Sequence, residues 1–230
     1  MKKIHRFILE FTIDAGIILV TDEEVVNQIR NVLKLKIGEQ ILLCDGRGGE
    51  VLVEILEISA VGVKLKVLEE RENEHESVKG VTLYCAILKR ENFDWVCQKA
   101  TEIGVAEIVP LITKRTVKLD IKKERLEKII KESAEQSGRT VLPILHEPVT
   151  FEVAVKQSTK NEVNVLFDVS GAPPAGGAPK RTGIFIGPEG GWDESELKII
   201  KLSGYQLVSL GKLTLRAETA AIIAVYLAVN

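Results

Sequence analysis

The chain has 230 residues, room for one large domain or two small ones, and its 45% hydrophobic and 28% charged content is that of an ordinary globular protein. Its 31 Lys+Arg stand against 33 Asp+Glu, a net charge of -2, so no overall basic character advertises nucleic acid. The longest apolar run, inside Ala217–Val229, is too short to cross about 30 Å of hydrocarbon, and the widely spaced Cys44, Cys85 and Cys97 argue against a disulfide scaffold or a cysteine zinc site.

Met1–Phe7 lacks an apolar signal core and a small-residue cleavage site. With no membrane span either, the expected setting is the cytoplasm. Ile4–Thr12 and Ile17–Val20 read as short strands. Thr21, with Glu24 three residues on, forms a capping box that opens a helix over Val25–Leu35. Gln40–Cys44 and Glu50–Ser59 flank the turn-rich Asp45–Gly49, and Val61–Leu68 alternates as a half-buried strand. Five or so strands and one helix in about 70 residues predict a small barrel. The polar stretch Glu69–Gly80 follows, without hydrophobic period, and reads as a solvated linker. It also divides the charge: residues 1–76 carry a net of -5 and the remainder a net of +3.

Beyond it, strands alternate with helices. Val81–Leu88 is a strand, Asn92–Ile103 a helix stopped by Gly104, and Val105–Leu111 a strand again. Asp120–Ser137 is an amphipathic helix with Leu126, Ile129, Ile130 and Ala134 inward, ended by Gly138. Val163–Asp168, Gly183–Ile186 and Gln206–Leu210 are short apolar strands, with Asp193–Leu202 helical between the last two and Ala217–Val229 the closing helix. Such alternation predicts an α/β domain with a largely parallel sheet. Ser170–Lys180, rich in Gly, Pro and Ala, reads as a surface loop.

In open α/β sheets, ligands gather at the carboxyl ends of strands, and three segments fit that position. Gly187–Trp192 has three glycines, which either bring backbone N–H groups close to a ligand or simply make a tight turn. Glu189 would repel a phosphate, and the loop lacks a P-loop ending. Gly211–Arg216 is an apolar loop closing on Arg216 and Glu218. It reads as the wall of a pocket for a flat apolar group, or else Glu218 caps the helix. Lys89, Arg90, Lys114, Arg115 and Lys118 belong to the densest basic region, a phosphate contact or a solvated face. His5, His75 and His146 show no metal spacing, and no G-x-S-x-G is present.

Taken in order, these segments resemble the RsmE family of small-subunit ribosomal RNA uracil-N3 methyltransferases, of the SPOUT class. The resemblance rests on His5–Phe7, Lys99–Val105 with Pro110, and Glu132–Arg139 with Pro143. It rests most specifically on Ile186–Trp192 and Leu210–Ala220. The chain departs from the family pattern at Asn27 or Gln28, at Lys34 and at Leu126.

The resemblance implies a PUA-like β-barrel over residues 1–73 that binds RNA. Behind it, residues 77–230 would form a SPOUT-type trefoil-knotted α/β domain. S-adenosylmethionine is the implied cofactor, with no metal, and 16S rRNA or the small ribosomal subunit is the implied partner. Ile186, Gly187, Pro188, Glu189, Gly190 and Gly191, with Leu210, Gly211, Leu213 and Leu215, would hold the cofactor mostly through backbone. Arg216, Glu218 and Glu189 would be catalytic, and Arg6, Lys34, Arg115 and Arg139 would contact RNA. A homodimer through the last helix is implied as well. Ile222, Ile223, Val225, Tyr226 and Leu227 make that helix apolar nearly all round, unless it is a fully buried core helix. Two rival readings share the fold: a methyltransferase of another rRNA or tRNA position, and a non-catalytic RNA-binding module.

Overall fold

The apolar runs of the first third form strands because alternate side chains in a strand share one face. The computed structural model describes residues 4–72, 76–89, 91–117, 119–174 and 179–230. Clustering of contacts divides it into two units, Met1–Glu76 with Ala134–Leu142, and Ser77–Ser133 with Pro143–Asn230.

The first unit contains β1 (His5–Ile8), β2 (Ile17–Val20), α1 (Glu23–Asn27), β3 (Gln40–Cys44), β4 (Gly49–Ile58) and β5 (Val63–Glu72). These form a five-stranded sheet in the order β1-β3-β4-β5-β2, antiparallel except where β1 runs beside β3. Ile18, Ile41, Leu43, Val53 and Leu65 meet Val25, Val26 and Ile29 of the helical segment in one core.

The helix differs from its expected form. Its N-cap is Asp22 rather than Thr21, with the Asp22 carboxylate accepting the Val25 N–H at 2.9 Å. The α-helix ends at Asn27 and widens into a π turn over Gln28–Val32. Lys34, at φ 52, then turns the chain away, so the helix stops short of Leu35.

The expected linker is also shorter. Glu69–Glu72 continue β5 in register with β4, and residues 73–75 lie outside the described residues. Glu76 is held, not solvated. Its carboxylate accepts the N–H groups of Thr140 at 2.8 Å and Val141 at 2.9 Å and pairs with Arg139 at 3.2 Å. Residues 134–142 join this unit because Ala134 and Leu142 pack with Ile8 and Cys44. The Ile8 N–H also donates to Glu135 at 2.8 Å.

The second unit runs β6 (Gly80–Ala86), α2 (Asn92–Ile103), β7 (Glu107–Ile112), α3 (Lys123–Ser137, whose last turn belongs to the first unit), β8 (Ile144–Leu145) and β9 (Val149–Thr150). It continues through α4 (Phe151–Gln157), β10 (Val163–Ala172), β11 (Arg181–Ile186), α5 (Glu194–Leu202), β12 (Gln206–Val208) and α6 (Ala217–Val229). Every strand pairing is parallel, in the order β12-β10-β11-β6-β7-β8 with β9 also on β7. Central β6 and β11 are buried almost end to end, as a sheet covered on both faces requires.

Gly104 (φ 114) and Gly138 (φ 88) stop α2 and α3 in the left-handed region. Asp193 and Glu196 make the reciprocal capping box that opens α5. β8, β9 and α4 have no counterpart in the sequence reading, since two-residue strands and a seven-residue helix leave too little periodicity. β10 runs on to Ala172, so the expected loop from Ser170 begins as strand, and residues 175–178 lie outside the described residues.

Chain direction across the sheet reverses between β6 and β11. β7 and β8 extend to one side of β6, whereas β11, β10 and β12 extend to the other. Loops leaving neighbouring strands in opposite directions open a crevice beyond their carboxyl ends.

Candidate active site

A cleft of about 700 Å³ lies at that reversal, wholly within the second unit. One wall is Phe167, Asp168 and Val169 of β10. A second is Ile186 at the end of β11 with the loop Gly187–Trp192. Leu210, Leu213, Thr214 and Leu215 form a third, and Arg216, Glu218 and Ala220 close it at the start of α6. Asn92, at the start of α2, completes the lining.

The glycine loop is shaped by its tryptophan. A Cβ at position 187 would lie 3.0 Å from the Trp192 ring, closer than ordinary contact, so glycine favours that approach. The indole N–H donates to the Phe167 carbonyl at 3.0 Å, tying the loop to β10. Beneath it, Phe151 lies 5.3 Å from Trp192 and Tyr84 stacks on Phe185 at 4.3 Å. The floor is therefore rigid aromatic core.

Three carboxylates face this largely apolar space. Glu218 is 4% exposed, and its Oε2 has no hydrogen-bond partner among the described residues. Its Oε1 lies 4.0 Å from the guanidinium of Arg216, a side chain 86% exposed. A buried polar atom left unpaired costs roughly 1–3 kcal/mol, a cost that a ligand donor relieves. Glu189 accepts the Lys89 N–H at 2.9 Å. Asp168 accepts the N–H and hydroxyl of Ser170 at 2.9 Å and 2.6 Å. Such a field favours a cation with flat apolar parts.

Burial above all, then Cys97, Glu189 and Glu218, push the Cys85 thiol well above its ordinary range, which excludes it as a thiolate nucleophile. Among the described residues no cluster of metal-ligating side chains occurs.

Of the residues expected to hold a cofactor, all but Gly211 line the cleft, and Gly211 (φ 131) sits in the same loop. Arg216, Glu218 and Glu189 line it together. Arg115 lies at its lip, its guanidinium donating to the Gly190 carbonyl at 3.0 Å. The buried Glu196 fixes this corner, one oxygen accepting the Lys114 N–H at 2.9 Å and the other the Asp193 N–H at 2.8 Å. Lys34 stands exposed on the first unit.

Arg6 and Arg139, both expected to contact RNA, are largely buried in ion pairs. Arg6, 12% exposed, pairs with Glu50 at 2.7 Å and donates to the Gly138 carbonyl. Arg139, 9% exposed, pairs with Glu76. Both guanidinium groups are engaged inside the first unit, where they fasten residues 134–142. Arg90 and Lys118 lie outside the described residues.

Sequence reasoning passed over Asp168 and Asn92. Asp168 ends an apolar strand run, and that position was the available signal.

On α6, Ala221, Ala224, Val225 and Ala228 are buried, whereas Ile223, Tyr226 and Leu227 are exposed. The alternative of a fully buried core helix is thereby excluded for the chain as described.

The fold and cleft are those of an RNA methyltransferase: residues 75–229 match the family model of an RNA methyltransferase domain, and residues 20–68 that of an RNA methyltransferase PUA domain. The ribosomal RNA small subunit methyltransferase E of Synechocystis sp. is 32% identical, over 94% of this chain and 73% of its own. That of Bacillus subtilis is 31% identical, over 96% of this chain and 94% of its own. The crystal structure of the Neisseria gonorrhoeae enzyme of that name, bound to S-adenosyl methionine, aligns with a TM-score of 0.88 and 28% identity. It covers 97% of this chain and 95% of the other. The chain belongs to the ribosomal RNA small subunit methyltransferase E family. Its first unit is PUA-like and its second is a parallel-sheet methyltransferase domain.

Proposed function

We propose that this protein transfers the methyl group of S-adenosylmethionine to N3 of a uracil in the 16S rRNA of the small ribosomal subunit. The observation that carries this is Glu218, a buried carboxylate with an unsatisfied oxygen in the wall of the cleft. The cofactor suits the donor set: a sulfonium cation with a flat adenine meets three carboxylates and an apolar lining. When bound, it supplies an electrophilic methyl group.

Ile186–Gly191 and Leu210–Leu215 hold the cofactor, chiefly by backbone. Uracil N3 is a poor nucleophile while protonated. Glu218 accepts that proton, which leaves the nitrogen its electron pair. Arg216, beside it and open to solvent, steadies the uracil anion or a flanking phosphate. Glu189, held by the Lys89 N–H, is the second carboxylate within reach of the same space. Positioning of the two reactants then supplies most of the rate.

Residues 1–73 serve as the RNA-binding domain and 77–230 as the catalytic one. Arg115 at the lip of the cleft and the exposed Lys34 are the RNA contacts this reading favours, while Arg6 and Arg139 order residues 134–142 of the first unit. The exposed Ile223, Tyr226 and Leu227 support a homodimer through α6. A trefoil-knotted second domain and a cytoplasmic setting complete the proposal, in keeping with the family resemblance.

Mass spectrometry of rRNA nucleosides from cells lacking the gene tests it. Loss of 3-methyluridine is the expected result. Loss of a different mark moves the activity to another position, and an unchanged profile leaves only RNA binding.

A further inference from the structure

A second groove, of about 380 Å³, runs between α2 and α3 beside the cleft. Its lining is Glu91, Asn92, Asp94, Trp95, Gln98, Arg125 and Ile129, and Asn92 belongs to both walls. Trp95 is 54% exposed, unlike Trp192, which is 5% exposed. Arg125 is held at the rim by Asp94 at 2.8 Å and Glu91 at 3.7 Å, with its side chain still 54% exposed.

Reaching the N3 of a base requires that it leave its stack, and the neighbouring base then loses a stacking partner. A half-exposed indole in a groove that shares Asn92 with the cleft can replace that partner, since every base has a π face to offer. The rim decides which part of the nucleotide enters. Two carboxylates against one guanidinium disfavour a phosphate. The same carboxylates, with the amides of Gln98 and Asn92, suit a base edge with amino hydrogens, as in adenine, guanine or cytosine.

We infer that the groove between α2 and α3 is a subsite for an amino-bearing nucleobase flanking the methylated position, stacked on Trp95 and read by Asp94, Gln98 and Asn92. This rests on the methyl-transfer reading of the adjacent cleft.

Initial-rate methylation of unmodified small-subunit rRNA by the full chain, Trp95→Ala and Trp95→Phe tests it. Trp95→Ala should raise KM for the RNA about tenfold, the order expected for one lost stacking contact. Trp95→Phe should restore most of it, and neither change should move the dissociation constant for S-adenosylmethionine. RNA should also quench tryptophan fluorescence in the wild type and not in Trp95→Phe. A wild-type KM in Trp95→Ala overturns the subsite while leaving the cleft reading intact. A fall in oligomeric mass of Trp95→Ala without RNA also overturns it, because Trp95 is then a subunit contact. A wild-type chain that binds S-adenosylmethionine and methylates no rRNA overturns the cleft reading and the subsite with it.

Discussion

Glu218 and Arg216 sit two residues apart at the mouth of one cleft, yet one is buried and the other is almost wholly in solvent. Their roles separate accordingly. Glu218→Gln keeps the shape and removes the base, so single-turnover methylation should fall about 10²–10⁴-fold. Melting temperature should change little, because the amide is isosteric and the contact it loses is a 4.0 Å pair to an exposed guanidinium. A wild-type rate in this variant would move the base to Glu189. Arg216→Ala should cost about 2–4 kcal/mol in the transition state, roughly 30- to 1000-fold in rate. Arg216→Lys should recover little, since a point charge does not replace a planar fork. At 4.0 Å and so exposed, Arg216 adds little to folding, so its melting curve should match the wild type. A normal single-turnover rate for the alanine variant would sink its catalytic role.

Elements carry the next level of constraint. At the start of β7, burial would raise the Glu107 pKa, but hydrogen bonds from Lys160 at 2.8 Å and with His146 at 2.7 Å outweigh it. The net shift is below the ordinary 4.5. A carboxylate lowered by folding contributes stability above its unfolded value, and that contribution is lost as pH falls through the folded one. Melting temperature should therefore drop more steeply below pH 4.5 in the wild type than in Glu107→Gln. Equal acid limbs in thermal melts would rule the trio out as a source of acid sensitivity. On α6, Leu227→Asp should convert a dimer to monomers in light scattering, because a charge on that exposed apolar face resists burial. A monomeric wild type would remove the dimer from the proposal.

At the scale of the whole molecule, the units are not consecutive halves of the chain. Residues 134–142 are contributed to the first unit from within the second, and Arg6, Glu50 and Glu76 hold their neighbourhood together. A fragment of Ser77–Asn230 keeps every wall of the cleft, so calorimetry should find S-adenosylmethionine binding near that of the full chain. The fragment should nevertheless melt lower, with Ala134 and Leu142 stripped of Ile8 and Cys44. A folded fragment without cofactor binding would overturn this division of labour.

Local pattern determined much of this protein by itself. β3, α2 and α6 fall where their periodicity places them, since strand alternation and helical stripes are written in adjacent residues. The loops after β11 and β12 were legible as candidate walls of the cleft they line, because loops leaving the strand ends of a parallel sheet flank its crevice. What only the tertiary structure decided are matters of distant partners. That Arg6 and Arg139 face Glu50 and Glu76 rather than solvent depends on chain segments far apart in sequence. The orphaned oxygen of Glu218 and the open ring of Trp95 likewise depend on which groups arrive from elsewhere to cover them. Burial is a property of the folded surroundings, and no residue carries it alone.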